Sequence, residues 1–280
     1  MVSTTIDFIV KRHGEKKPSP GVISSTPEDR VVPLSEEGRA KELAFGRDVI
    51  SVRPRYAHII GITSDYLRTM QTLEANLEGA GYDIKDGRLV TTMARSDIGL
   101  GVNNHDRNSH PDMPKYGKGK KVLDAYVRTL FEKFWRPRLR FGNPPCLSAY
   151  AAAMMDAVLY SIQRQQTLPF EGSVLVEIVT HCPVIDVAAH CFSGGKSLEQ
   201  GAFQDGEFFT GRVENDNYAH KYQGLIKWDI KGKEYTMPSA DVCRDVMGMP
   251  PTDSIDARGA LKAMRRWYTA LASTKSIAHQ

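Results

Sequence analysis

The sequence predicts an α/β protein: a three-layer α/β/α sandwich built on a mostly parallel, doubly wound sheet, with an inserted region. Three short apolar runs predict it, at residues 6–10, 58–63 and 173–179. Each ends in a polar cluster, Lys11-Arg12-His13-Gly14, then Ser64-Asp65-Tyr66-Leu67-Arg68, then Thr180-His181-Cys182-Pro183. A helical pattern follows each cluster, at once or after a loop. Buried parallel strands read as continuous apolar runs, and such sheets carry their chemistry at the carboxyl ends of the strands.

Taken in order, residues 6–10 form the first strand, and a loop rich in Pro and Ser follows it (Pro18, Ser19, Pro20, Ser24, Ser25, Pro27). Ser35 is a suitable N-cap for a helix running to about residue 50, and Glu36 and Glu37 suit its first turn. The second run, 58–63, leads into a helical pattern reaching Gly79. A further strand is expected near 88–92. Residues 94–145 are the least regular stretch and form the inserted region. Residues 147–165 read as a helix, Gly172 introduces the strand at 173–179, and Pro183 fits the first turn of the next helix. Beyond Gly194-Gly195, residues 207–213 and 222–230 alternate as strands do, and Lys231-Gly232-Lys233 turns the second into 234–237. Residues 257–273 read as a helix. The chain is expected to be one domain over 1–280, interrupted at about 94–145.

Composition narrows the class. Of the 280 residues, 41% are hydrophobic and 25% charged, which suits a soluble globular protein. No apolar run approaches the roughly 18 residues that span a bilayer, and residues 1–10 lack the basic start of a signal peptide. Four cysteines (Cys146, Cys182, Cys191, Cys243) in so long a chain make no disulfide framework, and a reducing cytoplasm is expected. The net charge of +4 suits an anionic small substrate. Neither a nucleic-acid nor a membrane partner is expected, and the oligomeric state is not legible.

The clusters carry the chemistry. Arg12-His13-Gly14 at the mouth of a first strand resembles the Arg-His-Gly motif of the phosphoglycerate mutase-like histidine phosphatases. Pro33-Leu-Ser-Glu-Glu-Gly38 is similar to that superfamily's Leu-Thr-x-x-Gly helix start, and Ser64-x-x-x-Arg68-x-x-Gln71-Thr72 to its Ser-x-x-x-Arg-x-x-Gln-Thr helix. Thr180-His181-Cys182-Pro183 resembles the Gly-His-Asn-Pro segment of one branch. All four occur in the superfamily's order, and the resemblance covers about residues 5–80 and 173–238.

The resemblance implies a metal-independent phosphatase without a cofactor, acting on a phosphorylated small molecule or a phosphoprotein. His13 would be the nucleophile, forming a phosphohistidine that water hydrolyses. Arg12 and Arg68 would bind the phosphoryl oxygens in bidentate fashion, and His181 would donate hydrogen bonds to the same group. The leaving oxygen needs an acid. Relatives often carry Glu after the third strand; the nearest equivalent here is Asp97, with Asp106 and Glu15 behind it. Mutases of the superfamily follow the first motif with Ser or Thr and then Asn. This chain has Lys16 and Ser19 there, which favours a phosphatase over the alternatives, a phosphoglycerate mutase-type transferase or a silent phosphate-binding module. Lys11 stands where relatives have an apolar residue, and Cys182 where they have Asn.

Other features read as structural. His181-Cys182 and His190-Cys191, nine residues apart, match no zinc spacing, so packing is expected for Cys182, His190 and Cys191. His105 and His110 sit in a polar loop. Residues 115–140 hold nine Lys or Arg against Asp124 and Glu132, as a solvated helix face does; Phe134 and Trp135 leave room for an anionic partner.

Overall fold

A computed structural model describes residues 5–22, 26–53, 55–99, 120–134, 147–165, 172–193, 196–214 and 226–236. The expected helix at 257–273, the strand residues 222–225 and the loop with His105, Asp106 and His110 lie outside the described residues. So do Cys146, Cys243 and Trp135.

The sheet has seven strands: β1 (Thr5–Arg12), β2 (His58–Ser64), β3 (Val90–Arg95), β4 (Val174–Thr180), β5 (Phe208–Glu214), β6 (Lys227–Ile230) and β7 (Lys233–Thr236). Their order is β3-β2-β4-β1-β5-β6-β7. The three apolar runs of the sequence are the three central parallel strands β2, β4 and β1, and β3 joins them in parallel. Burial on both faces leaves no room for polar alternation in β2, where every residue is buried. From β5 onward the pairing is antiparallel, and Lys231-Gly232 forms the expected turn, both residues at positive φ.

Helices cover both faces. On one lie α2 (Glu36–Phe45), continued by a π-helical turn at Gly46–Ile50, and α3 (Leu67–Gly79). Ser35 caps α2 by accepting from the Gly38 amide at 2.9 Å. The crossing of α2 and α3 is close enough that a Cβ on Gly46 would strike the Asn76 carbonyl, and one on Gly79 the Leu43 carbonyl. On the opposite face lie α4 (Lys120–Phe134), α5 (Leu147–Gln165) and α6 (Val184–Phe192). A four-residue helix, α1 (Pro27–Arg30), interrupts the Pro/Ser loop. No helix among the described residues is long and apolar enough to cross a membrane.

The larger apolar core joins Phe8, Val10, Ile60 and Val176 to α4, α5 and α6. Helix α4 falls inside the region expected as an insertion, yet Leu123, Tyr126, Val127, Leu130 and Phe131 are core residues. Its Lys121 and Arg128 are exposed, so over 120–134 the basic segment is the solvated side of a core helix. The smaller core, with Ile9, Ile59, Leu73 and Leu77, lies beneath α2 and α3.

Lys11 is buried in that second layer. Its ammonium lies 3.0 Å from Glu42, donates to the Gly206 carbonyl at 2.9 Å and sits 3.4 Å over the Phe45 ring. A cation takes an apolar residue's place because a carboxylate, a carbonyl and a ring face replace its water.

Candidate active site

Strands β1, β2 and β4 end side by side, and their last residues bring the polar clusters together. The His13 amide donates to the Thr180 carbonyl at 3.0 Å, continuing the β1–β4 ladder one residue past the strand. His13 and His181 face one another edge to face, ring centres 4.9 Å apart. Arg68, in the first turn of α3, donates from Nε to Nε2 of His13 at 3.2 Å. All three, and Arg12, are buried.

The Ser64–Thr72 motif has a structural meaning at each position. Ser64 Oγ lies 2.7 Å from Nε2 of His181. Gln71 accepts the Leu34 amide at 2.9 Å, and Thr72 Oγ1 accepts the Gly14 amide at 3.0 Å. Arg68, Gln71 and Thr72 stand at i, i+3 and i+4, one face of α3. That spacing lets one helix tie the His13 loop and the start of α2 while presenting Arg68 to His13. Gly38 is needed on α2 because a Cβ there would collide with the Glu15 carbonyl.

The tautomer of His13 follows from its partner. His13 Nδ1 lies 2.6 Å from the Gly14 carbonyl, which can only accept. Nδ1 therefore carries the proton, and Nε2 presents a lone pair, the one Arg68 donates to. Burial first, then the cations Arg68 and Arg12, hold the His13 pKa well below the usual histidine range, so the ring is neutral near pH 7. Nε2 of His181 is held by Ser64 Oγ, which also lies 2.9 Å from Thr69 Oγ1. Nδ1 of His181 is buried with no hydrogen-bond partner among the described residues. Burial and Arg68 also push the His181 pKa well down.

Arg12 leaves β1 toward a loop that the motif reading did not identify. Its Nη1 donates to the Phe203 carbonyl at 2.5 Å, and Nη2 pairs with Asp205 at 2.7 Å. The same loop sends the Gly206 amide to the His13 carbonyl at 3.1 Å, while the Phe203 amide binds Asp186 of α6 at 2.9 Å. Asp186 is buried, and that burial raises its pKa to about 6. Three further residues were missed: Asp29, which pairs with Arg68 and Lys16; Lys16 itself, whose charge acts on both histidines; and Tyr66, whose ring faces His181 at 4.5 Å and Arg68 at 4.6 Å. Asp29 carries no local signature, because it reaches the site only through the path of the Pro/Ser loop.

His13, Arg68 and His181 thus lie together, and the charge of Arg12 acts on both histidines. Asp97 stands apart. It follows β3 in a short 3₁₀ turn and is held on two bonds by Arg95, at 2.9 and 2.5 Å, while Arg95 also binds Asp156. Glu15 uses its backbone carbonyl to accept from Ser35 at the start of α2. Cys182 and Cys191 are free and buried, Cys191 against Met155, and His190 packs on Phe131. Among the described residues no group of three or more His, Cys, Asp or Glu is arranged to hold a metal ion.

No family model matches the chain. No curated protein is detectably similar either. Solved structures do align over most of its length. A mycobacterial hydrolase shares 15% identity over 87% of this chain and 97% of its own, with a TM-score of 0.49. A mycobacterial glucosyl-3-phosphoglycerate phosphatase shares 15% over 75% and 91%, TM-score 0.47. The protein histidine phosphatase SixA with bound tungstate shares 14% over 74% and 86%, TM-score 0.36.

Proposed function

We propose that this protein is a phosphatase that transfers a phosphoryl group from an ester to Nε2 of His13 and then to water. One observation carries the reading: the Gly14 carbonyl fixes the proton of His13 on Nδ1, leaving an unprotonated Nε2 beside Arg68 in a pocket that keeps the ring neutral. A neutral imidazole in this tautomer, surrounded by cations, is what attack on an anionic phosphorus requires.

The remaining groups support the same chemistry. As the N–P bond forms and the ester P–O bond breaks, charge spreads over three equatorial oxygens. Arg12, Arg68 and Lys16 surround that position with positive charge, only partly offset by Asp29 and Asp205. Nδ1 of His181 has its hydrogen-bonding capacity unused. With Ser64 holding Nε2, Nδ1–H would donate to a phosphoryl oxygen. Water then attacks phosphorus, the N–P bond breaks, and inorganic phosphate leaves with His13 restored.

The proton for the leaving oxygen is assigned to Asp97 as the candidate general acid. Its carboxylate is held on two bonds by Arg95. The reaction as read needs no metal. The substrate is a phosphomonoester or a phosphoprotein, and a mutase-type transfer is disfavoured because Lys16 and Ser19 stand where mutases carry Ser or Thr and then Asn.

His13→Ala decides the matter. Hydrolysis of p-nitrophenyl phosphate should fall to background while the fold, followed by circular dichroism, is unchanged. Turnover by the alanine variant near the wild-type rate would remove the assignment.

A further inference from the structure

Arg68 is held by a residue from outside every motif, and the way it is held has a direction. A guanidinium is a rigid planar fork of five N–H donors with two bidentate edges. The end edge, Nη1 with Nη2, is taken by Asp29: Nη1 lies 3.3 Å from Oδ1 and Nη2 lies 3.1 Å from Oδ2. Nη1 also donates to the Asp29 carbonyl at 2.7 Å. The side edge, Nε with the other hydrogen of Nη2, remains on the His13 side, with Nε 3.2 Å from Nε2.

This pairing is built into the fold. Asp29 is 0% exposed and Arg68 only 2%, and Lys16 adds a second cation to the same carboxylate at 2.9 Å. A carboxylate removed from water this completely is stable only with such partners. Helix α1 exists at the point where the loop must deliver it. The carboxylate occupies the end edge alone, so the side edge stays turned toward His13.

We infer that Asp29 is the positioning residue of Arg68: by gripping the end edge it turns the side edge toward His13 Nε2, so that two parallel N–H groups meet two oxygens of the phosphoryl group transferred there. The inference rests on the phosphatase reading and deepens it. An arginine free to swing could bind a resting phosphate through any pair of donors. Only one orientation serves the transition state, where charge on those oxygens is greatest.

The test is Asp29→Asn, which keeps the shape but replaces one acceptor oxygen with an NH₂ group facing the guanidinium. Losing one charge-assisted interaction corresponds to about a 10- to 100-fold drop in kcat on p-nitrophenyl phosphate, with KM changed by less than about threefold. Affinity for orthovanadate, which mimics the five-coordinate phosphorus, should fall in step with kcat, while affinity for inorganic phosphate barely changes. In an Arg68→Ala background the same substitution should alter kcat by less than about twofold, because its effect runs through Arg68. Three results would overturn the inference: D29N kinetics within twofold of wild type, a rise in kcat/KM (a blocking carboxylate removed), or an undiminished loss in the Arg68→Ala background. If D29N is recovered unfolded, Asp29→Glu keeps the buried charge and displaces the fork. It should lose kcat and vanadate affinity together, and unchanged values for both would equally overturn the inference. An inactive wild type would count against the phosphatase reading alone. Vanadate binding, which requires the pocket and no turnover, would still decide Asp29, and equal affinity in wild type and D29N would overturn its role.

Discussion

Replacing Glu177 with glutamine should stabilise this protein, and by more as the pH rises. Glu177 is fully buried in the middle of β4. It accepts from Asn76 at 2.5 Å, and its Oε2 has no hydrogen-bond partner among the described residues. The nearby cation, Lys11, is already committed to Glu42. Two carboxylates and one ammonium in a dry layer would carry a net charge of −1, which protonation of Glu177 removes. Burial accordingly pushes the Glu177 pKa up from 4.5 to about 8.

The sign follows directly. Between those two values the folded protein holds a proton that the unfolded chain releases, so this group's contribution to stability falls as pH rises from 4.5 to 8. At pH 7 the cost is about 3 kcal/mol, from 1.36 kcal/mol per unit over the interval above the unfolded value. Glutamine is neutral at every pH and still offers Asn76 an oxygen. Urea unfolding of both proteins at several pH values should therefore give a stability difference that grows with pH and levels off near 8. A difference constant across that window would show that Glu177 is ionised in the folded protein and refute the reasoning.

Three more outcomes follow from the site. EDTA should leave the phosphatase rate unchanged, because arginine, lysine and histidine supply the charge; loss in EDTA with recovery on adding zinc or magnesium would contradict this. If Asp97 is the acid, Asp97→Asn should slow an alkyl phosphate by about a hundred- to ten-thousand-fold and p-nitrophenyl phosphate far less; equal effects on both would place the proton source elsewhere. Because burial and the arginines lower the His13 pKa, the rate should show no loss of activity on acidification through about 6.5, the ordinary histidine value. A decline in kcat/KM titrating there would mean that His13 is protonated like an exposed ring.

Elements with a local signal were legible from the residues alone. Periodicity and turn chemistry located the parallel strands, Ser35 announced the start of α2, and the 147–165 helix carried its own pattern. The resemblance of four short motifs to those of a known superfamily pointed to Arg12, His13, Arg68 and His181, because each motif lies within a few residues of sequence. Tertiary structure decided the rest. Asp29 lies 39 residues from Arg68, and Asp205 reaches Arg12 across 193 positions of chain; neither has a neighbour in sequence that gives it meaning. Lys11 looked like an intruder in a strand until Glu42, Phe45 and Gly206 surrounded it. Helix α4 read as part of an insertion because its basic face dominates the composition, while its apolar face is recognisable only against α5 and α6. The common cause is that burial and charge pairing depend on which side chains meet across long separations, whereas a helix, a strand or a cap is fixed within a few residues of itself.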